Sequence, residues 1–149
     1  MRPVSYAHKK VNHTGKDLHP MINVLVIALD DEIPSGLPNG DVLVVAPALN
    51  SRLRHWLSDD GEARRRASDR VASFVAGLEQ RGVRAKGRVG DADPMQAIAD
   101  ALSTFAADEI VIAGEPGRSI RFADEIATRA RERFALRTFL AGEALPIAA

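Results

Sequence analysis

Short, nearly unbroken runs of apolar residues recur along this chain, at 22–29, 41–46 and 108–113, and residues 136–141 are predicted to form a final strand. Such runs are typical of strands buried on both faces, as in parallel sheets covered by helices. Residues 83–89 instead alternate small or apolar residues with basic ones, which predicts an edge strand. Its basic face is either an anion-binding surface or a solvated face that prevents edge-to-edge aggregation.

Amphipathic segments lie between the later runs. Residues 58–80 have the periodicity of a helix closed by Gly82. The next helix is predicted to start after Asp93 as its cap, with Pro94 in the first turn and Gln96 completing a capping box. A last helix has apolar residues spaced by four, which predict its buried stripe: Phe122, Ile126, Ala130 and Phe134.

The order of these elements predicts a three-layer α/β/α fold around a mainly parallel five-stranded sheet, of the Rossmann-like or flavodoxin-like kind. The first crossover breaks the pattern, because residues 31–40 contain two prolines and two glycines and predict no helix. Either this loop crosses without a helix, or the first strand pairs differently. If it crosses bare, the N-terminal segment or a second subunit is needed to cover the sheet.

Length and composition are those of one globular domain. The chain has 149 residues, of which 46% are hydrophobic and 27% charged. We expect residues 1–20 to form a disordered or loosely ordered tail and residues 21–149 to form the domain. The tail holds three of the four histidines, without a spacing that suggests a metal site.

Charge and cysteine content narrow the function classes. The net charge is zero, so no nucleic-acid or membrane partner is expected. Because no apolar run is long enough to cross a bilayer and the first twenty residues lack the apolar middle of a secretory signal, cytoplasmic localisation is the default expectation. The absence of cysteine excludes thiol catalysis and disulfides. The loop after the second strand holds His55 and Trp56 beside two arginines. Trp56 either stacks on a nucleic base or anchors the following helix.

Candidate chemistry lies where the strands end, since ligands of open parallel sheets bind outside the carboxyl ends of the strands. Asp30 and Asp31 follow the first strand, Gly90 and Asp91 follow the third, and residues 114–119 follow the fourth. That last segment contains a G-x-x-G turn that leads into a helix. Glycine amides, Arg118 and Ser119 suit a phosphate there. By itself, a G-x-x-G turn more often forms a plain strand-to-helix turn.

The same segment resembles the universal stress protein family, whose fourth strand ends in Gly, two residues, Gly, nine residues and then Gly-Ser or Gly-Thr. Here Gly114 and Gly117 fit, and Ala127-Thr128 stands at the last pair. Residues 89–94 (VGDADP) are similar to the family's third-strand segment, and Asp30 matches its Asp at the end of the first strand. The resemblance covers roughly residues 22–141.

That resemblance implies an adenine nucleotide α-hydrolase-like domain, often a homodimer, that serves in bacterial stress physiology without catalysis. Some members of the family bind ATP and others bind no nucleotide. By the resemblance, Asp30 and the chain near Val45 would face adenine. Ribose and phosphates, with Mg²⁺, would be held by the remaining matched residues: Gly114, Gly117, Arg118, Ser119 and Thr128. No catalytic residue and no protein-held metal is expected.

This chain departs from the family pattern at three points. Ala127 replaces the last glycine, Asp124 and Glu125 precede it with the charge that repels phosphate, and the first crossover helix is missing. ATP binding therefore stays open, and two alternatives remain. One is a nucleotide-free homodimeric interaction module. The other is an ATP-hydrolysing enzyme that would use the available carboxylates: Asp30, Asp91, Asp124 and Glu125.

Overall fold

Five parallel strands form the sheet at the centre of the fold, in the order β3-β2-β1-β4-β5. The computed structural model describes residues 21–49, 60–114 and 120–141. The strands are β1 (Val24–Ala28), β2 (Asp41–Pro47), β3 (Arg84–Gly90), β4 (Glu109–Ala113) and β5 (Arg137–Leu140). In the register of the three central strands, Val26 pairs with Val44 and Val111. The predicted sheet is confirmed, and β3 lies at an edge as its alternation indicated.

Three described helices cover the two faces of the sheet: α1 (Asp60–Gln80), α2 (Pro94–Leu102) and α3 (Ile120–Phe134). Helix α1 packs over β3 and β2 and makes fewer contacts with β1. We call this side of the sheet the α1 face, and its core includes Val26, Val44 and Phe74. Helices α2 and α3 lie on the opposite side, over a core that includes Ile27, Ile98 and Ile126. The predicted three-layer arrangement is therefore confirmed.

The first crossover is made without a helix, since residues 29–40 form an irregular loop between two paired parallel strands. Its described contacts attach it to α1. The carboxylate of Asp31 accepts from Nε of Arg70 at 3.0 Å, and the carbonyl of Pro34 accepts from Nη1 of Arg81 at 3.0 Å. Between them, Ile33 packs on Gly77, where a Cβ would overlap the isoleucine Cδ1. The loop thus runs beside α1 from the carboxyl end of the sheet to its amino end.

The ends of α1 and α2 are set by the residues that the sequence marks, with one correction. After α1, Gly82 has a φ of 80°, and the amide of Val83 donates to the carbonyl of Leu78 at 3.0 Å. Before α2, Asp93 accepts from the amide of Met95 at 3.0 Å, as a cap should. The predicted capping box is wrong. Gln96 donates to Asp100, and the amide of Asp93 donates to Asp91 at 2.8 Å instead.

The buried stripe of α3 differs from the predicted stripe at Phe122. Phe122 is 41% exposed, whereas Ala123 is 1% exposed and Ala127 is fully buried. Ile126 and Ala130 are buried as expected, and Phe134 packs partly against the same core. Spacing by four alone placed Phe122 on the stripe, but the wider apolar face of a helix uses steps of three and four. A small side chain, Ala123, therefore meets the sheet in place of the aromatic ring.

Candidate functional site

The direction of the crossovers reverses between β1 and β4. Strand β2 pairs with one side of β1 and β4 pairs with the other, so the loops that leave these strands turn to opposite faces. The two strand ends are held together by the amide of Leu29, which donates to the carbonyl of Ala113 at 2.8 Å. Asp30 and Gly114 follow directly. Such a reversal is where open α/β sheets bind their ligands.

Asp30 and Asp31 differ in what holds their carboxylates. Asp31 pairs with Arg70 at 3.0 Å, which directs this 79% exposed carboxylate toward α1. Asp30 is half-buried and accepts only from the amide of Asp31 among the hydrogen bonds that the structure gives it. Its second carboxylate oxygen can therefore accept a hydrogen bond from a ligand donor, such as an exocyclic amine. This places Asp30 at the reversal point, as the sequence predicted.

The side chain of Val45, unlike that of Asp30, is buried in the core. Its side chain is 1% exposed and belongs to the core on the side of α2 and α3. It also contacts Gly90 closely, where a Cβ would overlap Cγ1 of Val45. The side chain thus serves packing, and the contact predicted for the chain near Val45 would come from neighbouring backbone.

The glycine segment is bounded by described residues at both ends. Gly114 is buried directly after β4, and α3 begins at Ile120. Gly117, Arg118 and Ser119 lie outside the described residues. The first amides of a helix have no partner within that helix, and the positive end of its dipole favours an anion. A strand end, a glycine segment and a helix start therefore follow one another as a phosphate site requires.

The second half of the family pattern lies away from this helix start. Thr128 is exposed on α3, and it lies about 12 Å along the axis from Ile120, at 1.5 Å per residue. Asp124 and Glu125 are exposed, while the methyl group of Ala127 is buried against the sheet. The structure therefore brings Asp30 and Gly114 to neighbouring strand ends, and it leaves Thr128 two turns beyond the start of α3.

Sequence reasoning missed the exposure of Phe122. Phe122 lies in the first turn of α3, next to the glycine segment. Among the described residues, it is the large hydrophobic residue whose side chain is exposed. The sequence feature that could have indicated this exposure is a second apolar stripe on α3, through Ala123 and Ala127. An exposed aromatic ring beside a phosphate-type turn can pack against a ligand or a partner protein.

The other chemical candidates are engaged in the fold or remote from this point. Asp91 accepts from the amide of Asp93 ahead of α2. On the basic face of β3, Arg84 pairs with Asp41 at 3.0 Å and Arg88 donates to Thr104 at 2.7 Å, which favours the solvated edge over an anion site. His55 and Trp56 lie outside the described residues.

Cavities, metal ligands and hydrophobic helices were compared with the reversal point among the described residues. Two surface cavities of about 450 Å³ lie at the amino ends of β2 and β3, away from the reversal point. Within residues 21–49, 60–114 and 120–141, no cluster of three or more His, Asp or Glu side chains is placed to hold a metal ion. Those same ranges contain no helix with the length and hydropathy needed to span a membrane.

Comparison with known proteins finds similarity among solved structures. No protein-family model matches the chain, and no curated protein matches its sequence. Among solved structures, the chain is similar to a universal stress protein family protein from Arabidopsis thaliana, crystallised with AMP bound. The TM-score is 0.50 at 11% sequence identity, over 80% of this chain and 90% of the other. At that identity the similarity shows that this chain has the α/β fold found in that protein.

Proposed function

We propose that this chain is a universal stress protein-like module that binds an adenine nucleotide at the carboxyl ends of β1 and β4 and performs no catalysis. One observation carries the proposal. Asp30 and Gly114 meet at the reversal of the sheet, where the amide of Leu29 bonds to the carbonyl of Ala113 at 2.8 Å. The AMP bound to the structurally similar plant protein supports a nucleotide as the ligand.

Each part of the site has a distinct role in this proposal. The free oxygen of Asp30 accepts from the 6-amino group of adenine, a donor that guanine and hypoxanthine lack at that position. Gly114 and Gly117 let backbone amides approach ribose and phosphate, while Arg118 and Ser119 supply polar contacts. The start of α3 adds a positive dipole end. Asp124 and Glu125 lie one turn further along α3, so a triphosphate needs Mg²⁺ to screen them.

A binding role is favoured over hydrolysis because two of the nearby carboxylates already have structural partners. Asp31 is fixed by Arg70, and Asp91 accepts from the amide of Asp93. Asp30 is proposed to contact the base, which lies away from the phosphates. A general base for water must lie within hydrogen-bond reach of the attacked phosphate. We therefore expect turnover of ATP no faster than that of a Gly117→Asp variant.

Thermal unfolding with nucleotides tests the proposal. AMP at 100 times its Kd should stabilise the protein by about 2.7 kcal/mol, which raises the Tm of a domain this size by roughly 5 to 10 °C. Inosine monophosphate should shift the Tm less, because it lacks the 6-amino donor. Losing one hydrogen bond to a carboxylate weakens binding by about tenfold, so Asp30→Ala should bring the two nucleotides to similar affinity.

Asp69→Ala provides the matched control, because Asp69 is an exposed aspartate in the middle of α1. It should keep the wild-type preference for AMP. If AMP and Mg-ATP both leave the wild-type Tm unchanged, the nucleotide proposal fails.

The rival function is a nucleotide-free homodimeric interaction module. The observation that favours it is the buried Ala127 and distant Thr128, which leave the family's second glycine element without a counterpart at the helix start. Light scattering separates the two. A dimer with no response to any adenine nucleotide supports the rival, whereas a response to AMP at either oligomeric state supports the binding module.

A further inference from the structure

Strand β3 forms the longer of the two edges of the sheet, and among the described strands it pairs only with β2. It has seven residues, whereas β5 at the other edge has four. Its register with β2 runs without a break from Arg84 to Gly90, so no bulge interrupts it, and it contains no proline. Along such an edge, alternate backbone N–H and C=O groups point away from the sheet and can pair with another strand.

One face of this edge carries a row of basic side chains: Arg84, Lys86 and Arg88. Lys86 pairs with Leu43, and Arg88 pairs with Val45. Both of these partners belong to the core on the side of α2 and α3, so the basic row lies on that side of the sheet. All three basic residues are exposed.

The α1 face of the same strand carries small and apolar side chains, those of Ala85, Gly87 and Val89. Helix α1 approaches closely there, since a Cβ at Gly87 would overlap Cγ1 of Val71. Ala85, Val89 and Val75 of α1 are only half-buried against this core. An apolar strip therefore remains open beside the edge of β3.

The charge of the basic row is only partly balanced within the described residues. Arg84 pairs with Asp41 at 3.0 Å, and the two side chains are 73% and 55% exposed. Arg88 donates to the neutral hydroxyl of Thr104 at 2.7 Å, and Lys86 has no ion pair in the described part of the chain. These contacts form no pocket for a small anion, but they leave the row positively charged toward any strand placed beside β3.

We infer that the free edge of β3 binds an extended segment of a partner protein in which acidic and apolar residues alternate. Side chains that lie opposite each other in a strand pair share one face of the sheet. Acidic residues of the segment would therefore oppose the basic row, and its apolar residues would pack beside Ala85, Val89 and Val75. Backbone hydrogen bonds to β3 supply affinity in this mode, and the alternate side chains supply specificity.

A second copy of this chain does not fit the same edge. Two β3 strands paired antiparallel about a two-fold axis perpendicular to the sheet would place both basic rows on one face, opposite each other. Like charges directly opposite across a strand pair are destabilising. The row therefore acts against self-association, as charged edges do, and favours an acidic partner.

Fluorescence anisotropy with a labelled peptide tests the inference on the full chain. The probe is Glu-Val-Glu-Val-Glu-Val-Glu, which matches the seven residues of β3. It should bind saturably at one peptide per chain, and more weakly as salt is added. Hydrogen–deuterium exchange at residues 84–90 should slow on binding, because free N–H groups of β3 become paired.

Two further peptides separate charge from backbone pairing. The peptide with lysine in place of every glutamate should bind at least about tenfold more weakly, because it opposes the basic row with like charge. The peptide with proline in place of the central valine keeps the charge but disrupts the strand, and its binding should be lost.

A charge reversal on the protein completes the test. Lys86→Glu should weaken binding of the glutamate peptide by about tenfold and strengthen binding of the lysine peptide. Arg129→Glu is the matched control, because Arg129 is exposed on α3, which packs on β4 and β5, and it should keep the wild-type affinities. Thermal unfolding checks that both variants fold. If Lys86→Glu does not fold, the three peptides compared on the wild type decide.

Four results would overturn the inference. These are no saturable binding of the glutamate peptide, equal binding of the glutamate and lysine peptides, equal binding of the proline peptide, and unchanged affinity in a folded Lys86→Glu variant. Protection of residues 84–90 that grows with protein concentration in the absence of peptide would also overturn it, since a second copy would then occupy the edge.

Discussion

Two helix ends in this chain have the same left-handed backbone and different residues. Gly82 follows α1 with a φ of 80°, and Ala135 follows α3 with a φ of 52°. A Cβ in this conformation costs about 1 to 2 kcal/mol, whereas glycine adopts it freely. No atom lies near the position that a Cβ would occupy at Gly82, so only backbone strain would oppose an alanine there.

Exchanging glycine and alanine at these two positions should therefore have opposite effects on stability. Ala135→Gly should raise the free energy of unfolding by about 0.5 to 1 kcal/mol, and Gly82→Ala should lower it by about the same amount. Urea unfolding of both variants checks this expectation. Changes of the same sign at the two sites would show that packing, and not backbone strain, decides their stability.

Glu109 gives a pH-dependent prediction at the same scale. Burial raises the pKa of this carboxyl above its ordinary 4.5, the Arg137 guanidinium at 3.3 Å lowers it, and Asp108 raises it, with a raised pKa as the result. The folded state then holds a proton that the unfolded state has released. The free energy of unfolding must fall as pH rises from about 4.5 through the raised pKa.

Glu109→Gln removes this titration and leaves a similar shape. The stability of the wild type relative to the Gln variant should therefore be greatest near pH 4 and decline toward pH 7. Denaturant unfolding of both proteins at each pH measures the difference. If the free energy of unfolding of the wild type instead rises relative to that of the variant as pH rises, the Arg137 ion pair outweighs the cost of burial.

At the scale of elements, the first crossover shows how a parallel connection forms without a helix. Its loop is held along α1 by one ion pair, one side chain-to-carbonyl hydrogen bond and the contact of Ile33 with Gly77. Glycine inside a helix usually costs about 1 kcal/mol relative to alanine. Here its lack of a Cβ makes room for Cδ1 of Ile33, which secures the loop.

A double-mutant cycle tests that contact. Valine lacks the Cδ1 of isoleucine, so Gly77→Ala should stabilise the Ile33→Val protein by about 1 kcal/mol through helix propensity. In the wild-type background the same change should be close to neutral or destabilising, because the new methyl group displaces Ile33. Equal effects in both backgrounds, measured by thermal or urea unfolding, would show that the contact between Ile33 and Gly77 does not help to hold the loop.

The elements differ in how far their sequences predict them. Nearly unbroken apolar runs predicted β1, β2 and β4, because these strands are buried on both faces and need no alternation. The caps at Gly82 and Asp93 were predicted because their chemistry is local. Phe122 was wrongly predicted as buried and Gln96 as part of a capping box. In both places the outcome depends on neighbouring residues. On α3, Ala123 faces the sheet core in place of Phe122. Before α2, the carboxylate of Asp91 accepts from the amide of Asp93, so that amide does not bond to Gln96.

At the scale of the whole molecule, the strand order creates the candidate site. Asp30 and Gly114 are far apart in sequence, and only the order β2-β1-β4 brings them to one edge of the sheet. Periodicity predicts the strands, but it does not predict which strand pairs with the other edge of β1. The family resemblance suggested Thr128 as well, which the length of α3 places beyond the helix start.

Equilibrium dialysis of labelled AMP and Mg-ATP tests the central claim most directly. We predict binding that saturates at one nucleotide per chain, with loss of binding in Gly117→Asp and retention in Gly61→Asp. The second variant is the control, because Gly61 is exposed at the start of α1 with open space around it. Absence of saturable binding by the wild type, or equal binding by Gly117→Asp, would contradict a nucleotide site at the ends of β1 and β4.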